Sequence, residues 1–330
     1  MLKRFTAVAG IIVLLPVSAA AHVKWFTEEE AERAPIEAIM SPAFMLTAIL
    51  AAVLLSLLPG LLDAMKKRRP FVKLDKRIAS LRHYTFTLLQ YGTAAAFLIQ
   101  FIQGGLFAPE LLELQGVLAA VTAGMVVLLL IPLRVTVRIA SGILIGLYSY
   151  SVMDFGWLHM LDYVFYLGIA FVLLFYKTRL QQWNYPVLYL TTGLSLCWVA
   201  AEKWVYPDMA ENVILNHGVP TFGFSPDLFA MLTGFIEFTV GYLLIVGMLN
   251  RVLAVVLTGI FIGTAFLFGW LELVGHFPIH VILLTFIIEG SAFYRPPVAY
   301  HQRTWQKMVY VSVHFLFALA LILLLYYRFA

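Results

Sequence analysis

Three groups of side chains able to do acid–base or ligand chemistry stand out in an otherwise apolar chain. Glu237 lies in GFIEFTVGYLL, about midway along a hydrophobic run. A carboxyl group at that depth is expensive in lipid and points to a proton, ion or cofactor role. A neutral glutamic acid hydrogen-bonded between helices fits the same pattern, and burial favours that protonated form. The segment GWLELVGHFPIH carries Trp270, Glu272, His276 and His280. Four-residue spacing puts the acid and both imidazoles on one helical face. There they could bind a divalent metal, move protons to and from a quinone head group, or simply cap two helix ends with polar groups. Pro278 is expected to interrupt the helix between the two histidines.

The third group is the connection from Glu202 to Asp227, EKWVYPDMAENVILNHGVPTFGFSPD. Its glycines, prolines and aromatics read as a shaped lid over residues 202–227, not a linker. Glu202 and Lys203 end the preceding helix and are candidates for catalysis, or for pairing with each other. Asp154, His159 and Asp162 form a weaker cluster that could line the same pocket. Cleavage of a signal before His22 would leave a terminal histidine offering an amine and a ring nitrogen to one metal. Copper favours such sites, with His217 or His276 as a further ligand. Trp25 and Phe26 otherwise read as an interfacial anchor.

The elements that must position these residues follow from composition. Hydrophobic residues make up 62% of the 330 and charged residues 12%, against roughly 45–50% and about 25% in soluble domains. A single soluble core cannot hide that excess. A soluble enzyme, a disordered chain and a nucleic-acid binder are excluded; the formal charge of +4 sits in membrane-flanking loops. The single cysteine, Cys197, excludes an intrachain disulfide and any multi-cysteine metal site. No Walker motif, dinucleotide fingerprint or c-type haem site is present.

Residues 1–21 read as a secretory signal, with Lys3 and Arg4 before an apolar stretch and Ala19 and Ala21 before the cleavage point; an uncleaved anchor helix is the alternative. Ten transmembrane helices are expected near 42–62, 84–106, 111–131, 135–153, 157–176, 186–205, 228–248, 252–274, 279–293 and 309–327, because backbone in lipid must pair within its own segment. The fold class is therefore an all-α, polytopic membrane bundle. Basic residues concentrate in AMKKRRPFVKLDKRIASLRH and in alternate later loops, whereas the opposite side is acidic. This predicts a bacterial inner membrane, with the mature N-terminus and the C-terminus both periplasmic.

Residues 120–146 can be laid on 237–263 without a gap, matching Thr122 with Thr239, Gly124 with Gly241 and Arg134 with Arg251, while Gly156-Trp157-Leu158 answers Gly269-Trp270-Leu271. This predicts two parallel four-helix repeats plus flanking helices. The division is an N-terminal segment, first helix and basic loop (22–83), a first unit (84–185), a second unit (186–293) and a C-terminal helix (294–330). Gly142/Gly146 and Gly259/Gly263 are small-xxx-small pairs expected to let helices approach closely.

The second unit resembles the DoxX/DoxD-like membrane proteins. The resemblance rests on Glu202-Lys203 at a helix end, on GFIEFTVGYLLIVGMLNR with Glu237, Gly241, Gly247 and Arg251, and on the following helix with Gly259 and Ala265. It implies a four-helix bundle per unit and, in part of the family, oxidation of thiosulfate or other sulfur compounds with quinone as acceptor. The expected function is a quinone-linked electron-transfer component with a periplasm-facing site. Glu237 would relay a proton, and Glu272, His276, His280 and Trp270 would contact the quinone or a metal. Two other classes stay open: a copper or small-solute handling protein, and a membrane subunit anchoring a periplasmic redox or enzyme partner.

Overall fold

The computed structural model describes residues 23–27, 29–65, 76–107, 112–290, 301 and 303–329. The expected signal segment, the His22 terminus and part of the basic loop lie outside them. The regular structure of the described residues is helical apart from a two-residue antiparallel ladder, β1 (Gly105–Leu106) with β2 (Leu112–Glu113). The long helices are α1 (Pro42–Met65), α2 (Thr85–Gln103), α3 (Gly116–Leu130), α4 (Arg134–Phe155), α5 (Phe165–Phe175), α6 (Asn184–Val205), α7 (Pro207–Asn216), α8 (Pro226–Val246), α9 (Asn250–Phe268), α10 (Trp270–Glu289) and α11 (Thr304–Phe329).

Apolar runs form these helices, and glycine ends several of them. Gly104 and Gly247 close α2 and α8 in the left-handed conformation, which a side chain resists and glycine does not. Among the described residues seven helices are long and apolar enough to cross a membrane: the helix ending at Gln103, with α1, α4, α8, α9, α10 and α11. The other three expected spans are also helices. However, α3 and α5 are only 15 and 11 residues long, and α6 ends in the buried charges Glu202 and Lys203.

One expected break falls elsewhere. Trp270–Glu289 is a single helix that runs through Pro278, and the chain turns instead at Gly269, where φ is 78°. Glu272, His276 and His280 therefore do share one helix.

The α6–α8 pair is the most extensive contact, and α6 also packs on α5 and α11. α2 packs on α3 and α10, while α11 lies along α1. The Tyr242 hydroxyl donates to Val311 O at 2.9 Å and Ser312 Oγ to Ala52 O at 3.2 Å, tying α8 and α1 to α11. Close approach uses glycines other than those expected. A Cβ on Gly193 would stand 2.5 Å from Gly241 O, and one on Gly241 2.6 Å from Gly193 O. Gly142, Gly146, Gly259 and Gly263 are exposed and would meet nothing within 4 Å, because the rows they occupy on α4 and α9 face away from the bundle.

Arginine clamps recur in both halves. Arg138 donates from Nε to Leu174 O at 3.2 Å and from Nη2 to Tyr176 O at 3.4 Å. Arg251 donates from Nε to Ile287 O at 2.5 Å and from Nη2 to Ile288 O at 3.1 Å. Each satisfies carbonyls that a helix end leaves without an intrahelical partner. Arg138 to Arg251, Leu174 to Ile287 and Gly156 to Gly269 are equal distances in sequence. Arg138 thus makes the contact that resembles that of Arg251, whereas Arg134 is exposed.

Candidate functional site

The site forms where α6 ends. The last turns of α6 are buried on all sides, so each polar residue there must find a partner inside the protein. Neighbouring residues on a helix point about 100° apart, and Glu202 and Lys203 accordingly face different neighbours instead of pairing with each other. Lys203, wholly buried, reaches along α8 and forms an ion pair with Glu237. Glu202 turns the opposite way and meets Lys24 from the N-terminal turn Val23–Trp25, with Nζ 2.7 Å from Oε2. The same ammonium lies 2.9 Å from Oδ2 of Asp162. Asp162 sits in a short 3-10 segment, His159–Tyr163, that joins α4 to α5.

Asp162 and Glu202 are 0% and 1% exposed. The Asp162 carbonyl accepts from Ser195 Oγ of α6, and the Tyr326 hydroxyl of α11 donates to Glu202 Oε2 at 3.2 Å. Asp162 Oδ1 and Glu202 Oε1 are buried without a hydrogen-bond partner. Burial opposes the charge on Lys24, but Asp162 and Glu202 outweigh it and hold the ammonium well above the usual lysine range. Burial likewise pushes the Asp162 carboxyl above the usual range, against the pull of Lys24.

The residue after Lys24 locks the arm down. Trp25 Nε1 donates to Tyr163 OH at 3.2 Å. Its ring occupies the space over Gly275 that any side chain there would need and lies 5.3 Å from the His276 ring. His276 Nδ1 is 3.1 Å from Glu272 Oε1. Phe261 of α9 stacks on His276 at 4.4 Å and meets His280 edge-on at 6.0 Å. Glu237 is close enough to His276 and Glu202 to couple with both.

A cavity of about 530 Å³ opens beside the Lys24 triad, with Phe155, Trp157, Trp198, Tyr206, Tyr326 and Phe329 among its walls and Lys24 and His159 as polar groups. The expected cofactor contacts Trp270, Glu272, His276 and His280 do not line this cavity. The segment expected as a lid supplies Tyr206 and Met209 to its wall. The rest of that segment forms α7, whose Met209, Ala210, Val213 and Ile214 make a small core with Phe229 and Ala230 of α8.

Among the described residues no three His, Cys, Asp or Glu side chains converge on a metal position. His217 Nε2 lies 3.2 Å from Phe26 O, whereas His276 lies against Trp25. His22 is outside the described residues.

Burial, with the Lys24 charge second, lowers the His159 pKa to about 4 from the ordinary 6.5. A depressed folded value means that the neutral form is the stabilising one. That stability is present above pH 6.5 and is lost as the pH falls toward 4. Thermal melts of the detergent-solubilised protein over that window should show the loss, and His159→Gln should remove the histidine component.

The sequence singled out Glu202, Lys203, Glu237, Glu272 and His276 but not Lys24 or Tyr326, and gave Asp162 only a minor place. The signal for Lys24 was present: it is one of few bases, with Arg33, Lys203 and Arg328, among the acids of its side. A second buried acid was also missed. Glu289 accepts from Thr85 Oγ1 at 2.5 Å, its carbonyl accepts from Arg82 Nη2 at 2.9 Å, and Tyr185 OH lies 2.9 Å from Thr85 Oγ1.

The family model described as DoxX matches residues 190–270. This stretch is DoxX-like. It runs from the middle of α6 through α9 and contains Glu202, Lys203, Glu237 and Arg251, so it holds the Lys203–Glu237 pair whole. It ends at Trp270, before Glu272 and His276, and Lys24, Asp162 and Tyr326 also fall outside it. No curated protein and no solved structure matches the chain. With its DoxX-like segment and multiple apolar helices, the chain is a multi-pass membrane protein.

Proposed function

We propose that the protein is a quinone-linked redox component of a bacterial inner membrane, with the Lys24 end facing the periplasm. The observation that carries the ligand reading is the aromatic cavity, whose polar groups are the Lys24 ammonium and the His159 ring. Flat apolar walls with a few placed polar groups suit a planar ring bearing oxygen atoms. A bound quinone would supply two-electron, two-proton chemistry. The chain's own residues grip the ring between Trp157, Tyr206 and Phe329, orient a ring oxygen toward Lys24, and hold a proton at Glu202 behind Tyr326. The Lys203–Glu237 and Glu272–His276 pairs extend this polar network toward the membrane interior without touching the ring.

The orientation is supported by charge. The α1–α2 loop is dense in lysine and arginine, whereas Glu29, Glu30, Glu32, Glu37, Asp208 and Glu211 gather at the Lys24 end. In this reading all ten apolar helices lie in the bilayer. The equal spacing of the two arginine clamps supports two parallel four-helix units, α2 to α5 and α6 with α8 to α10.

The test is titration of the purified protein with a short-chain benzoquinone, read by tryptophan fluorescence. Saturable quenching is expected, with affinity about tenfold weaker in Trp157→Ala, equivalent to the roughly 1.4 kcal/mol of one aromatic contact. Trp157 is exposed, so that variant should fold normally. Absence of saturation, or unchanged affinity in the variant, would remove the reading.

A further inference from the structure

The Lys24 end carries more buried negative charge than positive. Lys24 neutralises one of the two carboxylates that approach it. The other would remain a net charge on a carboxyl that is itself buried, which protein interiors do not tolerate uncompensated.

Among the described residues no neighbouring element supplies a second cation to this pair; Arg33 lies over the Tyr327 ring of α11, 5.4 Å from its centroid. From the 3-10 segment, His159 is neutral above about pH 4 and Tyr163 accepts from Trp25. From α4, the Tyr148 hydroxyl donates to Met160 O. From α6, Lys203 is held by Glu237 of α8, so that pair cancels. On α10, His276 is paired with Glu272. From α11, Tyr326 donates to Glu202. Each carboxylate also gives one oxygen to Lys24 and leaves the other buried without a hydrogen-bond partner, which is where a carboxyl proton sits.

We propose that Asp162 and Glu202 hold one exchangeable proton between them, on either side of Lys24, and exchange it with the cavity that Lys24 lines. The transfer moves one proton and no electron. The carboxyl O–H of one acid breaks as a water reaching the pair from the cavity that Lys24 lines gains the proton. The two carboxylates are then both ionised around Lys24, and uptake runs the reverse way. Burial of Asp162, which pushes its carboxyl upward, acts in the same direction. The proposal deepens the quinone reading by naming its proton store, but the proton count does not depend on the ligand. A failed quinone titration and a failed proton measurement are therefore separate results.

The test is infrared spectroscopy of the full chain in detergent at neutral pH, in H2O and D2O. A carboxylic-acid C=O band that shifts in D2O is expected. Asp162→Asn and Glu202→Gln should each abolish that component, because one ammonium then faces one carboxylate. Lys24→Met should about double it, because both acids must then be neutral. Helical circular dichroism and a monodisperse elution profile check folding of each variant. Should the amide variants not fold, the wild-type band and its independence of Na+ decide the matter. Absence of the band in the wild type, its persistence in both folded amide variants, or its appearance only when Na+ is withheld would each overturn the proposal, the last by showing a metal cation in the proton's place.

Discussion

Lys203→Met is expected to destabilise the protein by about 3–5 kcal/mol, because it removes one partner of a buried ion pair and leaves Glu237 uncompensated near the middle of α8. The Lys203 side chain is fully enclosed and that of Glu237 only 11% exposed, so water cannot replace the missing ammonium. Methionine keeps most of the stem's packing, which separates loss of charge from loss of volume. The double variant Lys203→Met/Glu237→Gln should recover most of the loss, since it removes both charges together. Thermal melts in one detergent, at fixed pH, measure both. A single variant within about 0.5 kcal/mol of wild type, or a double variant no better than the single, would show that the pair carries no such burden. The recovery separates this role from catalysis: a double variant stable yet inactive would place the pair in the chemistry, whereas one stable and active would confine it to holding α6 on α8.

Much of this architecture was legible because lipid leaves few choices. Long apolar runs could only be helices, and Glu237 was conspicuous because a carboxyl group inside such a run demands a reason. The partner was harder to read. Lys203 and Glu202 are adjacent in sequence, which suggests mutual pairing, but helix geometry turns them toward different helices and gives each a partner far away in the chain. Lys24 was not singled out, since sequence says nothing about whether an arm folds back into the bundle. Gly275 shows the cost of that blindness: its missing side chain makes room for Trp25, and only the folded arm reveals it. Pro278 misled for another reason. A proline weakens a helix locally, but packing on α9 and α2 holds α10 together, and the positive φ of Gly269 provides the turn.

The glycines give the sharpest contrast between pattern and packing. Gly241→Ala should destabilise by about 1–3 kcal/mol, the range for overpacking a close contact. Its new methyl would meet Gly193 O at 2.6 Å and Cys197 Sγ at 2.8 Å, and the first of these is backbone that cannot rotate away. Gly259→Ala, the same change at a position the sequence marks as equally suited to close packing, meets nothing. It should be neutral or stabilising by up to about 1 kcal/mol, the helix propensity gained. Opposite signs for one substitution, measured by thermal melts in the same detergent, are the expected result; equal effects would mean that α6 and α8 do not cross at Gly193 and Gly241. The crossing also sets the distance across which Lys203 reaches Glu237, so pushing the helices apart should weaken that pair. Gly241→Ala combined with Lys203→Met should therefore cost less than the two losses added, by about 0.5 kcal/mol or more. Strict additivity would separate the glycine contact from the charge pair and leave the position of Glu237 to be explained by α8 alone.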